Sequence, residues 1–370
     1  MIRVGLVGFG MAGRVFHAPT ITAVEGLQLS AVVERRSREA ESRYPGITTY
    51  PSLEEMLADT SLALIVVATP NTSHVELARE ALAAGRDVVV DKPVAIVSDE
   101  IAQLMEEAKA AGRLLIPYHN RRWDNGFRTL KQLLAEKSLG RVVGFESTFD
   151  RWRPALRATG VWREKALPGS GILLDLGTHL VDEALQLFGL PLGVSAEIAC
   201  ERDQAVVNDS FTVRLRYDGL TATLSGNCLA AVSRPHYTVR GTQGAYMKWG
   251  LDPQEARLKA TGKVEEPGWG VEPESGWGVL TTDVEGQLVN KSIEPIPGDY
   301  RLFYAGVRDA MLGKAAPPVA AIDSWRAARV LEWAEQSAQE RSSSWISTTS
   351  FRNCSPASSA RRKTACMSSC

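Results

Sequence analysis

The sequence predicts an α/β protein whose first domain holds a doubly wound parallel sheet and whose second is an α+β domain with a large antiparallel sheet. Through residue 120, short apolar runs alternate with amphipathic stretches, as in parallel strands joined by helices. A glycine-rich turn directly follows the first apolar run. Beyond residue 120, a long apolar helix precedes several strand-like runs, which indicates an antiparallel sheet. We therefore expect domains at 1–120 and 121–340.

Five apolar runs in the first domain are predicted to form buried parallel strands. They cover residues 2–7, 28–33, 62–68, 87–90 and 114–118, and helices are expected over 75–84 and 99–111. Ligands of a doubly wound sheet bind beyond the carboxyl ends of its strands. Polar residues directly after these runs are therefore the first candidates for a functional site.

The turn after the first strand reads Gly8-Phe9-Gly10-Met11-Ala12-Gly13, the spacing of a dinucleotide-binding turn. Gly8 allows a tight turn, Gly10 lets the backbone approach a pyrophosphate, and Gly13 lets the following helix pack closely. The free N–H groups at the start of that helix would face the phosphates. The preceding strand, and the acidic Glu34 about 20 residues further on, favour a Rossmann domain over an ordinary glycine turn.

Two signals for the type of cofactor conflict at the end of the second strand. Glu34 favours NAD, because a carboxylate there hydrogen-bonds a free ribose 2′-hydroxyl. Arg35 and Arg36 favour NADP, because arginines bind a 2′-phosphate. From these residues alone, the choice between NAD and NADP stays open.

Asp91-Lys92-Pro93 follows the fourth predicted strand, where this fold places residues next to its ligand. The proline restricts the lysine before it, which indicates a fixed cation at the crevice. The alternative is a Lys-Pro turn at the surface without a catalytic role. The position at a strand end favours a catalytic Lys92.

A second candidate pair lies in an apolar helix predicted over residues 171–188. Asp175 and His179 are four residues apart and are therefore expected on one face of it. A carboxylate beside an imidazole orients the ring and stabilises its charged form, which suits a general base. The alternative is a buried hydrogen-bonded pair with a structural role. Polar groups in so apolar a helix need partners in either case.

Two basic and aromatic segments are further candidates for substrate binding. Tyr118-His119-Asn120-Arg121-Arg122-Trp123 follows the fifth predicted strand and therefore opens onto the crevice. Arg151-Trp152-Arg153, with Trp162-Arg163, offers a stacking wall and further hydrogen-bond donors. Such donors suit a polyhydroxylated or anionic substrate. The alternative for the second cluster is a solvated basic face.

The second domain is predicted to contain strands at 196–199, 210–217, 221–227 and 237–240. A long surface loop is expected at 265–278, and helices at 301–311 and 324–340 close the fold. From residue 341 the chain is rich in serine and lacks periodic hydrophobicity, so we expect a disordered tail or an altered reading frame. Cys200 and Cys228 lack metal-like spacing and are predicted to be reduced, structural thiols.

Charge and hydropathy exclude several classes of partner. The chain has 42 basic and 43 acidic residues and a net charge of -1, so neither nucleic acid nor an anionic membrane is expected as a partner. No apolar stretch approaches the ~18 residues needed to span a bilayer. The chain begins in a strand rather than in a signal peptide. We expect a cytoplasmic protein without a metal ion.

Taken together, the glycine turn, Asp91-Lys92-Pro93, YHNRRWD and GSGILLDLGTH resemble the Gfo/Idh/MocA oxidoreductases, which include glucose-fructose oxidoreductase and inositol dehydrogenases. Within the family the chain looks most similar to NADP-dependent scyllo-inositol 2-dehydrogenases. The segments that carry this are FGMAGRVFHAP, YHNRRWDNGF, RWRP, WREK and RPHYTVRGTQGAYMKWG. This resemblance tilts the cofactor slightly towards NADP, with Glu34 turned away. Asp91 departs from the family, which usually has Glu before Lys-Pro.

The resemblance implies hydride transfer between a nicotinamide and a secondary alcohol of a cyclic polyol or sugar, such as an inositol. It implies that Lys92 polarises the reacting oxygen, that His179 accepts the hydroxyl proton, and that Asp175 positions the histidine or the substrate. It also implies a cis Lys92-Pro93 bond, closing helices that pack back on the first domain, and a homodimer or homotetramer. A regulatory protein without turnover and a redox-neutral lyase or glycosidase are the alternatives.

The motifs and the resemblance together define two sets of residues. The set expected to bind the nucleotide is Gly8, Phe9, Gly10, Met11, Ala12, Gly13, Glu34, Arg35, Arg36, Thr69, Pro70, Asn71, His74, Lys92, Trp162 and Arg163. The set expected to bind the substrate is Lys92, His119, Asn120, Arg122, Arg151, Arg153, Asp175, His179 and Tyr237.

Overall fold

The computed structural model describes residues 1–157, 162–264, 268–340 and 345–348. The first domain contains the parallel strands β1 (Ile2–Val7), β2 (Leu27–Val33), β3 (Thr48–Tyr50), β4 (Leu64–Val67), β5 (Asp87–Asp91) and β6 (Leu115–Tyr118). They form one six-stranded sheet in the order β3-β2-β1-β4-β5-β6. The order reverses between β1 and β4, which is where a doubly wound sheet binds its ligand.

The sequence predicts five of these strands and misses β3. Its residues, Thr-Thr-Tyr, contain no aliphatic run, and it pairs only with β2 at the edge of the sheet. Lys92 therefore follows the fifth strand rather than the fourth, and the segment 119–123 follows the sixth. Both still lie at the carboxyl edge, where the sequence placed them.

Short helices connect the strands of this domain. They are α1 (Ala18–Thr22), α2 (Glu39–Arg43), α3 (Leu53–Leu57), α4 (His74–Ala83) and α5 (Ser98–Ala111). The helix that follows the glycine turn starts as a π-helical segment, Gly13–His17, and continues as α1. The last turn of α5 ends at Gly112, which adopts the left-handed conformation (φ +63°) that glycine allows.

The second domain is built on a nine-stranded sheet. Its strands are β7 (Val142–Asp150), β8 (Gly193–Ala199), β9 (Ser210–Tyr217), β10 (Leu220–Asn227), β11 (Tyr237–Gly241), β12 (Gly244–Lys248), β13 (Gly278–Val284), β14 (Gln287–Ile293) and β15 (Ile346–Ser347). Their order is β14-β13-β12-β11-β7-β10-β9-β8-β15. The helices of this domain are α6 (Asn125–Ala135), α7 (Thr178–Phe188), α8 (Gln254–Thr261), α9 (Arg301–Met311) and α10 (Ala321–Gln339).

The large antiparallel sheet predicted for this domain is present, and it contains one parallel pair of strands at its centre. The central strand β7 pairs with β10 in parallel, with Thr221 opposite Gly144, while its other neighbour β11 is antiparallel. The chain leaves β7, crosses through α7, and returns by the β8–β9 pair, so that β10 runs alongside β7 in the same direction. The sequence analysis misses β7, and the pairing it organises could not be anticipated.

The closing helices α9 and α10 pack against the first domain. Phe303 and Tyr304 of α9 are fully buried in the same apolar cluster as Leu6 of β1. In α10, the Glu332 carboxylate accepts hydrogen bonds from the Ser98 backbone N–H (2.6 Å) and hydroxyl (2.9 Å) at the first turn of α5. These contacts fix the two domains relative to each other, and with them the cleft between their sheets.

Two predicted irregular segments contain more order than expected. The prediction of a disordered tail is wrong for Ile346–Ser347, which adds to the sheet edge beside β8; residues 341–344 and 349–370 lie outside the described residues. In the predicted surface loop, Trp269 is buried and donates to Gln254, while residues 265–267 lie outside the described part. Within the described chain, no helix has the length and apolarity to cross a membrane.

Candidate active site

The glycine turn has the geometry that its sequence predicts. Gly8 adopts φ +100°, and a Cβ there would lie 2.9 Å from the Ala68 carbonyl oxygen. A Cβ on Gly13 would lie 2.1 Å from the carbonyl oxygen of Gly8, so only glycine permits this packing. A Cβ on Gly10 would meet nothing within 4 Å. The backbone at Gly10 therefore faces open space in front of a helix start, where a phosphate is able to approach.

A cleft compartment, here called the nucleotide compartment, opens in front of this turn. It is lined by Gly10, Met11, Ala12, Ala68, Thr69, Pro70, Asn71, His74, Asp91, Lys92, Pro93, Trp162, Arg163, Gly169 and Asp175. The structure thus brings together the predicted nucleotide-binding residues from the glycine turn, from the end of β4 and from the second domain. Gly8, Phe9 and Gly13 shape the turn behind it.

Two residues of this compartment also hold its walls together. The Nδ1 and Nε2 atoms of His74 each lie 2.8 Å from a backbone carbonyl oxygen, of Pro93 and Thr69 respectively, and these oxygens are the acceptors of a ring N–H. The Asn71 side-chain amide donates to the Gly169 carbonyl oxygen at 3.0 Å, across the domain boundary. Both side chains therefore position the loops that line the compartment.

The carboxylate of Glu34, at the end of β2, is occupied within its own loop. It accepts hydrogen bonds from the Ser37 hydroxyl (2.6 Å) and from the Ala40 backbone N–H (2.9 Å). Arg35 and Arg36, directly after it, are exposed. At the end of β2 the carboxylate is thus engaged within its loop, whereas the two cations face solvent.

Lys92 and Asp175 form the central ion pair of the site. The Lys92 ammonium donates to the Asp175 carboxylate at 3.0 Å and to its backbone carbonyl at 2.7 Å. The peptide bond between Lys92 and Pro93 is cis, as the resemblance implies. Arg163 and Arg151 also lie near the same carboxylate, at 3.4 and 3.7 Å. One carboxylate therefore faces three cations.

The predicted pairing of Asp175 with His179 is not observed. Asp175 lies in a π-helical segment, Leu173–Gly177, which precedes α7, whereas His179 lies in the first turn of α7. No hydrogen bond between described residues joins the two side chains, and Asp175 contacts Lys92 instead. The four-residue spacing has its expected meaning only in a regular α-helix. Both side chains nevertheless line the cleft.

A second compartment, here called the polar compartment, continues from the first. Its lining includes Tyr118, Asn120, Arg121, Arg151, Arg153, Arg157, Ile172, Leu176, His179, Arg202, Asn208, Cys228, Glu255 and Lys259. The two compartments share Met11, Ala12, Asp91, Lys92, Arg163 and Asp175. A ligand in one would therefore meet a ligand in the other at Lys92 and Asp175.

Burial and neighbouring charge set the protonation of the two central groups. Burial, reinforced by the nearby Lys92 and Arg121, holds the pKa of His179 well below its ordinary value, so the ring is neutral at neutral pH. For Asp175, burial alone would raise the pKa, but Lys92, Arg163 and Arg151 outweigh it and hold the pKa well below the usual range. The site thus combines an ionised carboxylate with an uncharged imidazole.

Three predicted substrate-binding residues lie away from the cleft. His119 donates to or accepts from the Ser324 hydroxyl at 2.8 Å and is buried beneath α10. Arg122 forms ion pairs with Asp182 (2.6 Å) and Asp323 (3.0 Å). The Tyr237 hydroxyl donates to Glu183 at 2.9 Å inside the second domain.

The physical reason is local geometry that the linear pattern hides. The segment Asn120–Trp123 is a tight 3₁₀ turn, so consecutive side chains point in different directions. Asn120 and Arg121 face the polar compartment, while Arg122 points into the second domain. Tyr237 belongs to the buried face of β11.

Several charged residues of the polar compartment were not predicted. They are Arg121, Arg157, Glu164, Arg202, Glu255 and Lys259. Arg121 stands in a segment that the sequence singled out, but Arg202, Glu255 and Lys259 come from distant segments without a recognisable motif. Within the described residues, no group of three or more His, Cys, Asp or Glu side chains is arranged to hold a metal ion. Cys200 and Cys228 are both free thiols.

Comparison with known proteins identifies both domains. Residues 2–119 match the family model of the Gfo/Idh/MocA oxidoreductases described as an NAD-binding Rossmann fold. Residues 127–247 match a Gfo/Idh/MocA C-terminal domain. The two matched regions meet at the cleft described above.

Individual relatives align with most of the chain. The uncharacterized oxidoreductase YdgJ of Escherichia coli is 41% identical over 341 residues, which cover 92% of this chain and 97% of YdgJ. The scyllo-inositol 2-dehydrogenase (NADP(+)) IolW of Bacillus subtilis is 34% identical over 340 residues, which cover 92% of this chain and 94% of IolW. The solved structure of YPO2259 from Yersinia pestis superposes with a TM-score of 0.88 at 42% identity, over 93% of this chain and 97% of that one. Since both domains match one family and its members align along most of their length, the chain belongs to the Gfo/Idh/MocA oxidoreductases and carries an NAD(P)-binding Rossmann domain.

Proposed function

We propose that the protein interconverts a secondary alcohol and a ketone of a cyclic polyol or sugar, with NADP(H) preferred over NAD(H) and an inositol-type ring as substrate. One observation carries the proposal: the nucleotide and polar compartments meet at Lys92 and Asp175, and the neutral His179 lines the polar side of that junction. A reacting C–OH group held there lies against a cation and a proton acceptor.

The nucleotide compartment fits a dinucleotide. The open space at Gly10 and the helix start behind it suit a pyrophosphate, and Trp162 with Arg163 lines the same compartment from the second domain. When bound, the nicotinamide accepts or supplies the hydride. The protein's own residues hold the substrate and manage its proton.

Lys92 is placed to bind the reacting oxygen. An ammonium group has three N–H donors, and the Asp175 carbonyl and carboxylate oxygens accept two of them. The third donor is left for the substrate oxygen at the compartment junction. Asp175 orients the ammonium, and Lys92 stabilises the negative charge that grows on the oxygen as its proton leaves.

His179 is placed to take that proton. Because its pKa is held well below the ordinary value, the ring is neutral and has a free acceptor nitrogen at neutral pH. In alcohol oxidation it accepts the hydroxyl proton, and in ketone reduction it returns a proton. The Lys92 ammonium and the His179 ring thus act on the same oxygen in different ways.

The end of β2 supports NADP. Because Ser37 and Ala40 already donate to Glu34, its carboxylate has less capacity to bind a ribose 2′-hydroxyl. Arg35 and Arg36 are exposed beside it and suit a 2′-phosphate. The relative IolW, whose name gives NADP(+) and scyllo-inositol, supports both this choice and the substrate class.

The first experiment is to follow nicotinamide absorbance with the purified protein. NAD and NADP are tested against a panel of inositols and aldoses, and NADH and NADPH against the matching ketones. Turnover with an inositol and NADP is expected. Tighter binding of NAD(H) than of NADP(H) in a titration would overturn the cofactor assignment, and turnover of acyclic alcohols alone would overturn the substrate class.

Variants test the assigned roles. Lys92→Ala and His179→Ala should each lower kcat by about 100-fold or more, the usual contribution of a positioned acid–base group. Lys109→Ala, which removes an exposed lysine on α5, is the matched control and should keep wild-type turnover. Wild-type turnover in either site variant would show the mechanism to be wrong.

A further inference from the structure

We propose that the substrate carries an acidic group, a phosphate or a carboxylate, and that Arg151, Arg153 and Arg157 bind it at the solvent-facing wall of the polar compartment. This inference rests on the proposed function and deepens it by naming the charge class of the substrate. The three arginines lie on the segment that follows β7, and all three line the compartment.

The charge of the polar compartment is strongly unbalanced. Eight of its lining residues are cationic and four are acidic. Arg121 and Arg202 have further carboxylate partners outside the lining, Asp124 and Asp209. The uncompensated charge therefore lies with Lys92, Arg163 and Arg151, which share Asp175, and with Arg153 and Arg157. The whole chain has a net charge of -1, so this excess is a property of the site and not of the protein.

The Glu164 carboxylate forms its hydrogen bonds with a backbone N–H and with Arg202 rather than with the Arg153 or Arg157 guanidinium groups. One oxygen of Glu164 accepts a hydrogen bond from the Arg157 backbone N–H at 2.9 Å, and the other accepts one from the Arg202 guanidinium at 3.0 Å. Arg202 also donates to the Arg153 backbone carbonyl at 3.4 Å. The charged network thus holds the backbone of the segment in place. In the part of the chain that the structure describes, the guanidinium groups of Arg153 and Arg157 form no ion pair at contact distance with a carboxylate.

Arg151 is the inner member of the group and is only partly compensated. Its guanidinium lies 3.7 Å from the Asp175 carboxylate and packs over the Phe149 ring, with 4.9 Å to the centroid. Burial, together with neighbouring Arg153, lowers the pKa of Arg151 in spite of Asp175. A further anion beside it would stabilise its charge. The arginine side chains of this wall therefore offer N–H donors to the acceptor oxygens of an anionic ligand.

The nucleotide would not satisfy all of these cations. Arg163 lines both compartments, so bound nucleotide compensates it, whereas Arg151, Arg153 and Arg157 line only the polar one. A neutral polyol presents hydroxyl groups that act equally as donors and acceptors. A phosphate or carboxylate presents acceptors alone and matches a wall of arginine donors.

Binding of inorganic phosphate tests the site without turnover. Calorimetry is performed on the full-length protein saturated with NADPH, so that the nucleotide compartment is filled. Phosphate should bind, and an Arg153→Gln, Arg157→Gln double variant should weaken its binding by about tenfold or more, since the loss of a single charged hydrogen bond already has about that effect. Arg214→Gln, an exposed arginine on β9, should bind phosphate like the wild type. Equal phosphate affinity in the wild type and the double variant would overturn the inference.

Paired substrates test the same site in catalysis and identify the group. Glucose is compared with glucose 6-phosphate and glucuronate, and myo-inositol with an inositol monophosphate. The ratio of kcat/KM for an acidic substrate to that for its neutral partner should exceed about ten and fall towards one in the double variant. It should also fall as salt is raised, because ions screen exposed arginines. Preference for the phosphate or for the carboxylate tells which group the site takes.

The outcomes separate this inference from the proposed function. Turnover of neutral polyols with no gain from an acidic group refutes the acidic-substrate inference and leaves the dehydrogenase intact. Arginine-dependent phosphate binding without turnover of any polyol or sugar supports the anion site and refutes the proposed substrate class. If the protein neither binds phosphate through these arginines nor turns over any polyol or sugar, both the acidic-substrate inference and the proposed function are refuted.

Discussion

Glu183 is a buried carboxyl group whose replacement tests the electrostatics of the helix that carries His179. It lies one turn beyond His179 in α7 and is 1% exposed. Tyr237 donates to one of its oxygens at 2.9 Å and Ser147 to the other at 3.3 Å. Burial nevertheless raises the pKa of Glu183 to about 8. The folded protein therefore holds this group protonated at neutral pH.

The raised pKa makes stability depend on pH with a defined sign. In the unfolded chain Glu183 ionises near pH 4.5, whereas in the fold it keeps its proton up to about pH 8. Between these values unfolding releases a proton, so each pH unit lowers the free energy of unfolding by about 1.4 kcal/mol. The stabilisation is complete below pH 4.5 and is lost as the pH rises towards 8. From pH 5 to pH 7 the loss is roughly 3 kcal/mol.

Glu183→Gln removes this titration and keeps an acceptor for Tyr237. We expect the wild type to lose roughly 3 kcal/mol more than the variant between pH 5 and pH 7, measured by urea denaturation. Glu146→Gln, on the neighbouring exposed position of β7, is the matched control and should follow the wild type. Parallel stability curves for wild type and Glu183→Gln across this range would refute the reasoning.

Three further predictions concern the site and its support. Gly10→Ala should fold normally and weaken cofactor binding about tenfold, whereas Gly13→Ala should also lower the thermal unfolding temperature, because its Cβ would meet the Gly8 carbonyl oxygen at 2.1 Å. Arg122→Met should lower the free energy of unfolding by about 3 kcal/mol or more, measured by urea denaturation, because it leaves Asp182 buried without its ion pair. A raised KM with an unchanged free energy of unfolding would instead place Arg122 at the substrate. The pH profile of alcohol oxidation should stay level through pH 6.5 and fall only under more acid conditions, because the pKa of His179 is lowered; a midpoint at 6.5 would contradict this.

Local sequence patterns were sufficient for the parts of the fold that depend on local structure. The glycine turn and the strand ends that carry Lys92 and Asn120 follow from short apolar runs and from glycine spacing. The ends of strands in a parallel sheet meet at one edge, so these residues could be placed together before the structure was known. The nucleotide compartment could therefore be predicted from the positions of these strand ends in the sequence.

The rest of the site depends on pairing between distant segments. Strand β3 is too short to have a pattern, and the parallel β7–β10 pair joins residues that are 77 positions apart, such as Gly144 and Thr221. The same holds for Arg202 and Glu255, which enter the polar compartment through tertiary packing alone. Arg122 shows the opposite case. It follows a strand end, where a cation was expected to face the cleft, but its guanidinium forms ion pairs within a buried network. Residue type and position therefore predict which segments reach the cleft, but not which side chains face it.

The difference between the expected and observed partners of Asp175 follows from one local departure from α-helical geometry. In a regular helix, Asp175 would lie beside His179 and stabilise its charged form. The π-helical segment Leu173–Gly177 changes that register, and the carboxylate contacts Lys92 instead. His179 is then left buried and among cations, and burial, reinforced by those cations, lowers its pKa and keeps its ring neutral. A second π-helical segment, Gly13–His17, follows the glycine turn on the opposite wall. Since such segments are rare and cluster at functional sites, their placement on both walls of one cleft is consistent with a site in which carboxylate and imidazole serve separate roles.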